Sequence, residues 1–156
     1  MFWIEVCKEV VRRYKNPIQF VWAGDGHLLD ECRAMVEDYP QIRFIGYHPK
    51  VEELYRNCSI YFQPSILESH GIAVLGAMYH QKVCVVSNRG GLKESIENKV
   101  TGYVVDIDNL DNTVDTLIPI LKNTELRNEM GKKAKERFDR LFRIECWEHK
   151  MEAIFN

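Results

Sequence analysis

Gln63-Pro64-Ser65-Ile66-Leu67-Glu68-Ser69-His70-Gly71 joins a short apolar run, Ser59 to Gln63, to the helical pattern of Gly71 to His80. Pro64 stops a strand, and the polar, glycine-ended segment leads into a helix. The same alternation recurs on both sides. Upstream, Ile18 to Ala23 reads as a buried strand, Leu28 to Glu37 as a helix, Ile42 to Ile45 as a strand stopped by Gly46, and Val51 to Asn57 as a short helix. Downstream come a strand at Lys82 to Val86, a short helix at Leu92 to Glu97 and a last strand at Gly102 to Val105. Phe2 to Tyr14 has the spacing of an amphipathic helix, and Leu110 to Leu121, Glu125 to Leu141 and Ile144 to Phe155 are helical in period. Parallel strands need a crossover, which the intervening helix supplies, so the expected fold is α/β, a doubly wound parallel sheet with a helical C-terminus.

The 156 residues, 46% hydrophobic and 28% charged, suffice for one domain around one core. A net charge of -2 gives no electrostatic reason to expect nucleic acid as a partner. Five cysteines, Cys7, Cys32, Cys58, Cys84 and Cys146, form no C-x-x-C pair, which argues against a disulfide framework or a zinc site. Neither H-E-x-x-H nor another metal spacing occurs, so no protein-built metal site or cofactor is expected. The expected compartment is the reducing cytosol, with any membrane contact peripheral, at its inner face. No apolar run approaches bilayer length.

Ligands of an open parallel sheet bind beyond the carboxyl ends of its strands. Those loops read Ala23-Gly24-Asp25-Gly26, Phe44-Ile45-Gly46-Tyr47, the Gln63 to Gly71 stretch, and Ser87-Asn88-Arg89-Gly90-Gly91-Leu92-Lys93-Glu94. In this order and spacing, with Pro-Ser-x-x-Glu-x-x-Gly before a helix and Gly-Gly-x-x-Glu one βα unit later, they resemble the C-terminal, nucleotide-sugar-binding domain of retaining GT-B glycosyltransferases of family 4. The resemblance runs from about Ile18 to Gly102. It implies a Rossmann-like domain over residues 1–156, with the helices of 124–156 packed on it. It further implies a UDP- or GDP-sugar as donor substrate and a hexosyl group transferred to a glycan or lipid-linked acceptor in cell-surface polysaccharide synthesis. The family's acceptor-binding N-terminal domain, and the first strand with its Arg and Lys loop, find no counterpart in this sequence. In the sheet order 3-2-1-4-5-6 that first strand is central, so a gap is expected between Ile18–Ala23 and Ser59–Gln63.

The resemblance assigns roles residue by residue. Glu68 is the carboxylate that hydrogen-bonds the donor sugar, and is the candidate catalytic residue. Gly71 and Ile72 offer backbone amides to sugar hydroxyls, Val74 and Leu75 offer theirs to phosphate, and His70 lies within the same motif. Such amides carry the positive end of the helix dipole, suited to a leaving diphosphate. Gly24 and Gly26 lie near the diphosphate, Gly46 and Tyr47 near the base, and Gly90 and Gly91 beside the sugar; Gly91 reads equally well as a simple turn, and Arg89 and Lys93 as solvated charges. The bland reading of Glu68 is an electrostatic helix cap. Trp22 fits the end of a buried strand, and Trp3 and Trp147 fit helix packing.

The chain departs from the family pattern at Gly76, where a second glutamate holds the ribose. An interior helical glycine costs about 0.8 to 1 kcal/mol relative to alanine. The lost charged hydrogen bond, worth about 1.5 to 3 kcal/mol, corresponds to a loss of affinity of about 10- to 150-fold. A glutamate restored at 76 is therefore expected to reach back to the ribose and tighten binding. A non-catalytic accessory or scaffolding subunit with a degraded donor site is the alternative to the enzyme; an epimerase of similar fold is disfavoured by the spacing of the Glu68 motif.

Overall fold

The computed structural model describes residues 1–69 and 71–146. His70 and Trp147 lie outside the described residues, as does most of the expected Ile144 to Phe155 helix. The elements run α1 (Phe2–Arg13), β1 (Phe20–Ala23), α2 (Leu29–Met35), β2 (Ile42–Gly46), α3 (Val51–Asn57), β3 (Ile60–Gln63), α4 (Ile72–Tyr79), β4 (Val83–Ser87), α5 (Leu92–Ser95), β5 (Gly102–Val105), α6 (Leu110–Lys122) and α7 (Thr124–Leu141). Every ladder is parallel, so the strand-end loops of each sheet share one edge.

The helices follow from their apolar spacing and their ends. In α1, Trp3, Ile4, Val6, Cys7 and Val10 are buried on one stripe, with Glu5 in the first turn and Arg12 and Arg13 in the last, the charge order that suits the helix dipole. Asn109 caps α6 by accepting from the Asn112 amide at 3.0 Å, and Asn123 caps α7 by accepting from the Leu126 amide at 2.9 Å. All five residues of β4 are buried, as a central strand covered on both faces requires. Val83, Val85 and Val105 meet Val6, Val10, Val114, Leu117, Ile120 and Met130 on one face. Cys84 and Val86 meet Val74, Ala77, Met78, Leu92 and Ala134 on the other.

The strands form two sheets, β1-β2 and β3-β4-β5. Among the described residues no ladder joins β1 to β3, which is where the sequence led us to expect a gap. Helix α1 spans the two sheets. Its Val6 and Val10 pack with β4, and its Trp3, Ile4 and Cys7 pack with Ile42 of β2. Phe20 of β1 and Phe62 of β3 flank both clusters.

One expectation fails here. Ile18 to Ala23 was expected to be a buried strand, with Trp22 at its buried end. The strand begins at Phe20, which pairs with Ile42, and Val21 and Trp22 are 45% and 37% exposed. With an unpaired edge, β1 lacks the neighbour that would cover it. Trp22 still packs one side of its ring on Trp3, at 5.1 Å between centroids, and the expected packing role of Trp3 is met, since it is buried among Phe20, Trp22 and Phe44.

Candidate functional site

The β3–α4 connection carries Glu68, and three sets of contacts fix it. Tyr61 Oη donates to Gln63 Oε1 at 2.8 Å, and Gln63 Nε2 donates in turn to Ser65 Oγ at 3.1 Å and Glu68 Oε2 at 3.2 Å. Burial pushes the Tyr61 phenol above its ordinary pKa, which keeps it a donor. Ser87, fully buried at the end of β4, donates its hydroxyl to the Ser65 carbonyl at 2.6 Å. The third contact is between loops: the Gly91 amide donates to the Glu68 carbonyl at 2.9 Å.

That last contact explains the glycine pair. A Cβ on Gly90 would lie 2.3 Å from the Glu68 carbonyl oxygen, and one on Gly91 would lie 1.9 Å from that of Ser69. The two loops touch through backbone, which a side chain at either position would prevent. Gly91 is therefore more than a simple turn: it docks the β4–α5 loop on the one that holds Glu68. Gly71, the residue before α4, has φ 65° and ψ 55°, and a Cβ there would sit 2.5 Å from Leu92 and 3.7 Å from Glu68 Cγ. The Glu68 side chain thus runs alongside the start of α4.

At that helix start, the amides of Val74 and Leu75 donate to the Gly71 carbonyl at 2.8 and 3.2 Å. They close the first turn, whereas no backbone acceptor among the described residues takes the amides of Ile72 and Ala73. The sequence reading placed the phosphate contacts at Val74 and Leu75, whose amides here are bonded within the helix start. Ile72 is 82% exposed, as are Ile66 and Leu67 nearby at 77% and 89%.

The β1 and β2 strand-end loops lie together at one edge of the smaller sheet. Gly24 donates its amide to the Gly46 carbonyl at 2.9 Å, which ties the β1 loop to the β2 loop, and Tyr47 beyond it is 76% exposed. His48 follows, with its Nε2 buried and unpartnered among the described residues. Gly26 has open space where its Cβ would be. Arg89 is not a free charge: it pairs with Asp108 of the β5–α6 loop, while Asn88 donates to Asp106 at 3.2 Å. Among the described residues no group of His, Cys, Asp and Glu is placed to hold a metal ion.

Gly76 gives a correction. Its Cβ direction points at the Tyr55 ring of α3, 2.8 Å from Cε2 and 2.9 Å from both Cζ and Oη. The position is filled from the neighbouring helix, so a glutamate there has no free path to a ribose.

Parallel strands with helix crossovers, a glycine-docked pair of loops and a carboxylate beside an open helix N-terminus define a Rossmann-like domain of the GT-B glycosyltransferase type. The pattern described as Glycosyl transferases group 1 matches residues 2–137. This chain belongs to that family of glycosyltransferase enzymes. Poly(ribitol-phosphate) alpha-N-acetylglucosaminyltransferase of Staphylococcus aureus (strain COL) is 26% identical over 157 residues, covering 98% of this chain and 32% of that protein. The crystal structure of TarM matches with a TM-score of 0.90 at 25% identity, covering 98% of this chain and 31% of its own. The C-terminal domain of a group 1 family glycosyl transferase (LpcC) from Francisella tularensis matches at 0.80 with 22% identity, covering 92% of this chain and 78% of that domain. The chain spans about a third of the length of the curated relatives it matches.

The polar scaffold of Glu68 was missed in the sequence. Tyr61 and Gln63 read as strand residues there; the available signal was a polar residue, Gln63, closing an otherwise apolar strand directly before Pro64.

Proposed function

We propose that this chain binds a UDP- or GDP-linked sugar beyond the ends of β2, β3 and β4, and serves as the donor half of a retaining hexosyl transfer. The acceptor would be a glycan or lipid-linked sugar in cell-surface polysaccharide synthesis. Acceptor binding falls to a second domain, and the work is done in the cytoplasm, at the inner face of the membrane.

The observation that carries this reading is the placement of Glu68. Its side chain lies along Gly71 at the start of α4, and its loop is held by Gln63, Ser87 and Gly91. A carboxylate so placed accepts hydrogen bonds from sugar hydroxyls, while the Ile72 and Ala73 amides face the adjoining diphosphate. As the glycosidic bond to phosphate breaks, negative charge grows on that diphosphate, and fixed amide dipoles stabilise it without having to reorganise. In retaining transfer the acceptor hydroxyl attacks from the face the leaving group departs, and the diphosphate takes the proton. His70, Gly24, Gly26, Gly46, Tyr47, Gly90 and Gly91 complete the proposed donor contacts.

Glu68→Ala tests the reading. UDP-sugar and UDP titrated into the parent and the variant should show the sugar-dependent part of affinity lost and free UDP affinity kept, at equal melting temperature. Identical UDP-sugar binding by both proteins would remove Glu68 from the site. A second reading, an accessory subunit, is favoured by the glycine at position 76. Release of UDP or GDP on adding an acceptor, by the chain joined to an acceptor domain, separates the two.

A further inference from the structure

Glu68 sits on a loop, and the group that holds its carboxylate sits on the sheet. Gln63 is the last residue of β3 and pairs with Val86 of the fully buried β4, so its backbone is pinned by a rigid element. Tyr61 lies two residues back on the same face of the strand, packed with the cluster around Val74, Ala77 and Met78. From there its hydroxyl reaches Gln63 Oε1 at 2.8 Å, and Gln63 Nε2 reaches Ser65 Oγ at 3.1 Å and Glu68 Oε2 at 3.2 Å.

The direction of this chain of hydrogen bonds is set at its end. A carboxylate only accepts, so the amide must turn its nitrogen to Glu68 and its oxygen to Tyr61, for which the phenol is the donor. Were the amide reversed, its oxygen would face the carboxylate with no hydrogen between them. Arg89, beside the glycines that dock on Glu68, is engaged by Asp108, and among the described residues no ion pair forms at Glu68. A neutral amide, not a cation, therefore orients the carboxylate, and none of its acceptor strength is spent on a protein charge. Only Oε2 is taken; Oε1 accepts from no described residue.

Building on the donor-site reading above, we propose that Gln63 is a positioning residue: backed by Tyr61, it fixes the Glu68 carboxylate through Oε2, so that Oε1 is presented, already ordered, to a hydroxyl of the donor sugar. An unsupported glutamate side chain gives up its rotamers on binding, whereas here that loss is met during folding. Gln63 itself touches no ligand. Its whole effect passes through Glu68.

The first test needs no ligand. In proton–nitrogen correlation spectra the side-chain amide of Gln63 should shift on Glu68→Ala, because one of its hydrogens loses the carboxylate; an unmoved amide overturns the contact. The second is calorimetry with UDP-glucose, UDP-N-acetylglucosamine and UDP on the parent, Gln63→Leu, Glu68→Ala and the double variant. Gln63→Leu should weaken the UDP-sugar that the parent prefers by about 10-fold, leave UDP as in the parent, and change nothing further in the Glu68→Ala background. Gln63→Glu keeps the size and the acceptor for Tyr61 but sets like charge against Glu68, and should show the same selective loss if Gln63→Leu melts too low to titrate. Parent affinity in both Gln63 variants overturns the positioning role, and so does an equal loss with and without Glu68, which marks a merely structural one. If the parent binds the UDP-sugars no better than UDP while the Gln63 amide still shifts on Glu68→Ala, the donor-site reading falls and takes the positioning role with it, the hydrogen bond alone remaining.

Discussion

Gly91→Ala isolates the contact between the two loops that build the site. Gly91 has φ -81° and ψ -7°, a conformation alanine adopts freely, so backbone strain does not enter. The whole effect comes from the added methyl, 1.9 Å from the Ser69 carbonyl oxygen where ordinary contact begins at 3.4 Å. The loops must part by roughly 1.5 Å, a separation at which the 2.9 Å hydrogen bond from Gly91 to Glu68 does not survive. Overpacking of this kind costs about 1 to 3 kcal/mol, and the hydrogen bond adds about 1. Alanine returns about 0.4 to 1 kcal/mol by stiffening the unfolded chain. The net is a destabilisation of about 2 kcal/mol, or about 4 to 8 °C in Tm for a chain of this size. Glu68 moves with its loop, which weakens its hydrogen bond to the donor sugar by up to about 1.5 to 3 kcal/mol. A thermal melt and a UDP-sugar titration read the two effects. A variant that melts and binds like the parent would show that the loops are not packed as described.

Acid should weaken the ion pairs along the last turns of α1. Hydrogen bonds from Arg12 and Arg13 hold the Glu9 carboxyl at about 2, below its ordinary 4.5, and Arg13 also pairs with Asp111 and Asp115 of α6. A lowered carboxylate pKa stabilises the fold above pH 4.5 and stops doing so as pH falls toward 2, and 0.5 M salt should shrink the effect at this exposed site. Carboxyl carbon shifts followed by NMR should give the Glu9 midpoint near 2; a midpoint at 4.5 would refute the pairing. Cys7 and Cys84 are buried, and burial raises both thiols, so a thiol reagent should label Cys32 and Cys146 first in the native protein. Labelling of Cys7 as fast as Cys32 would contradict its place on the buried face of α1.

Local chemistry was legible in the sequence and distant packing was not. Val51–Asn57 and Gly102–Val105 form their elements with the boundaries expected, because Pro49, Gly102 and Asp106 punctuate the chain at those points. The glycines of the strand-end loops announced close approach, and Gly90 and Gly91 meet the backbone of 68–69. What Gly76 faces was not legible, since Tyr55 lies 21 positions earlier on another helix. Exposure of β1 was missed because its composition, Phe-Val-Trp-Ala, is that of an interior strand. The left-handed turn at Gly71 directs its carbonyl to the amides of Val74 and Leu75, and no spacing rule reports that.

The division of the strands into two ladders makes the molecule mechanically uneven. Backbone bonds hold β1 to β2 and hold β3, β4 and β5 together, while side chains, those of α1 with Phe20 of β1 and Phe62 of β3, bridge the two groups among the described residues. The smaller ladder can swing or open as a unit while the larger stays closed, and its amide protons exchange with solvent ahead of those in β4. Among the described residues β1 and β3 each stand at the end of a ladder, and a strand border of that kind is a template for any extended segment, so it is there that the domain would first stick to another chain.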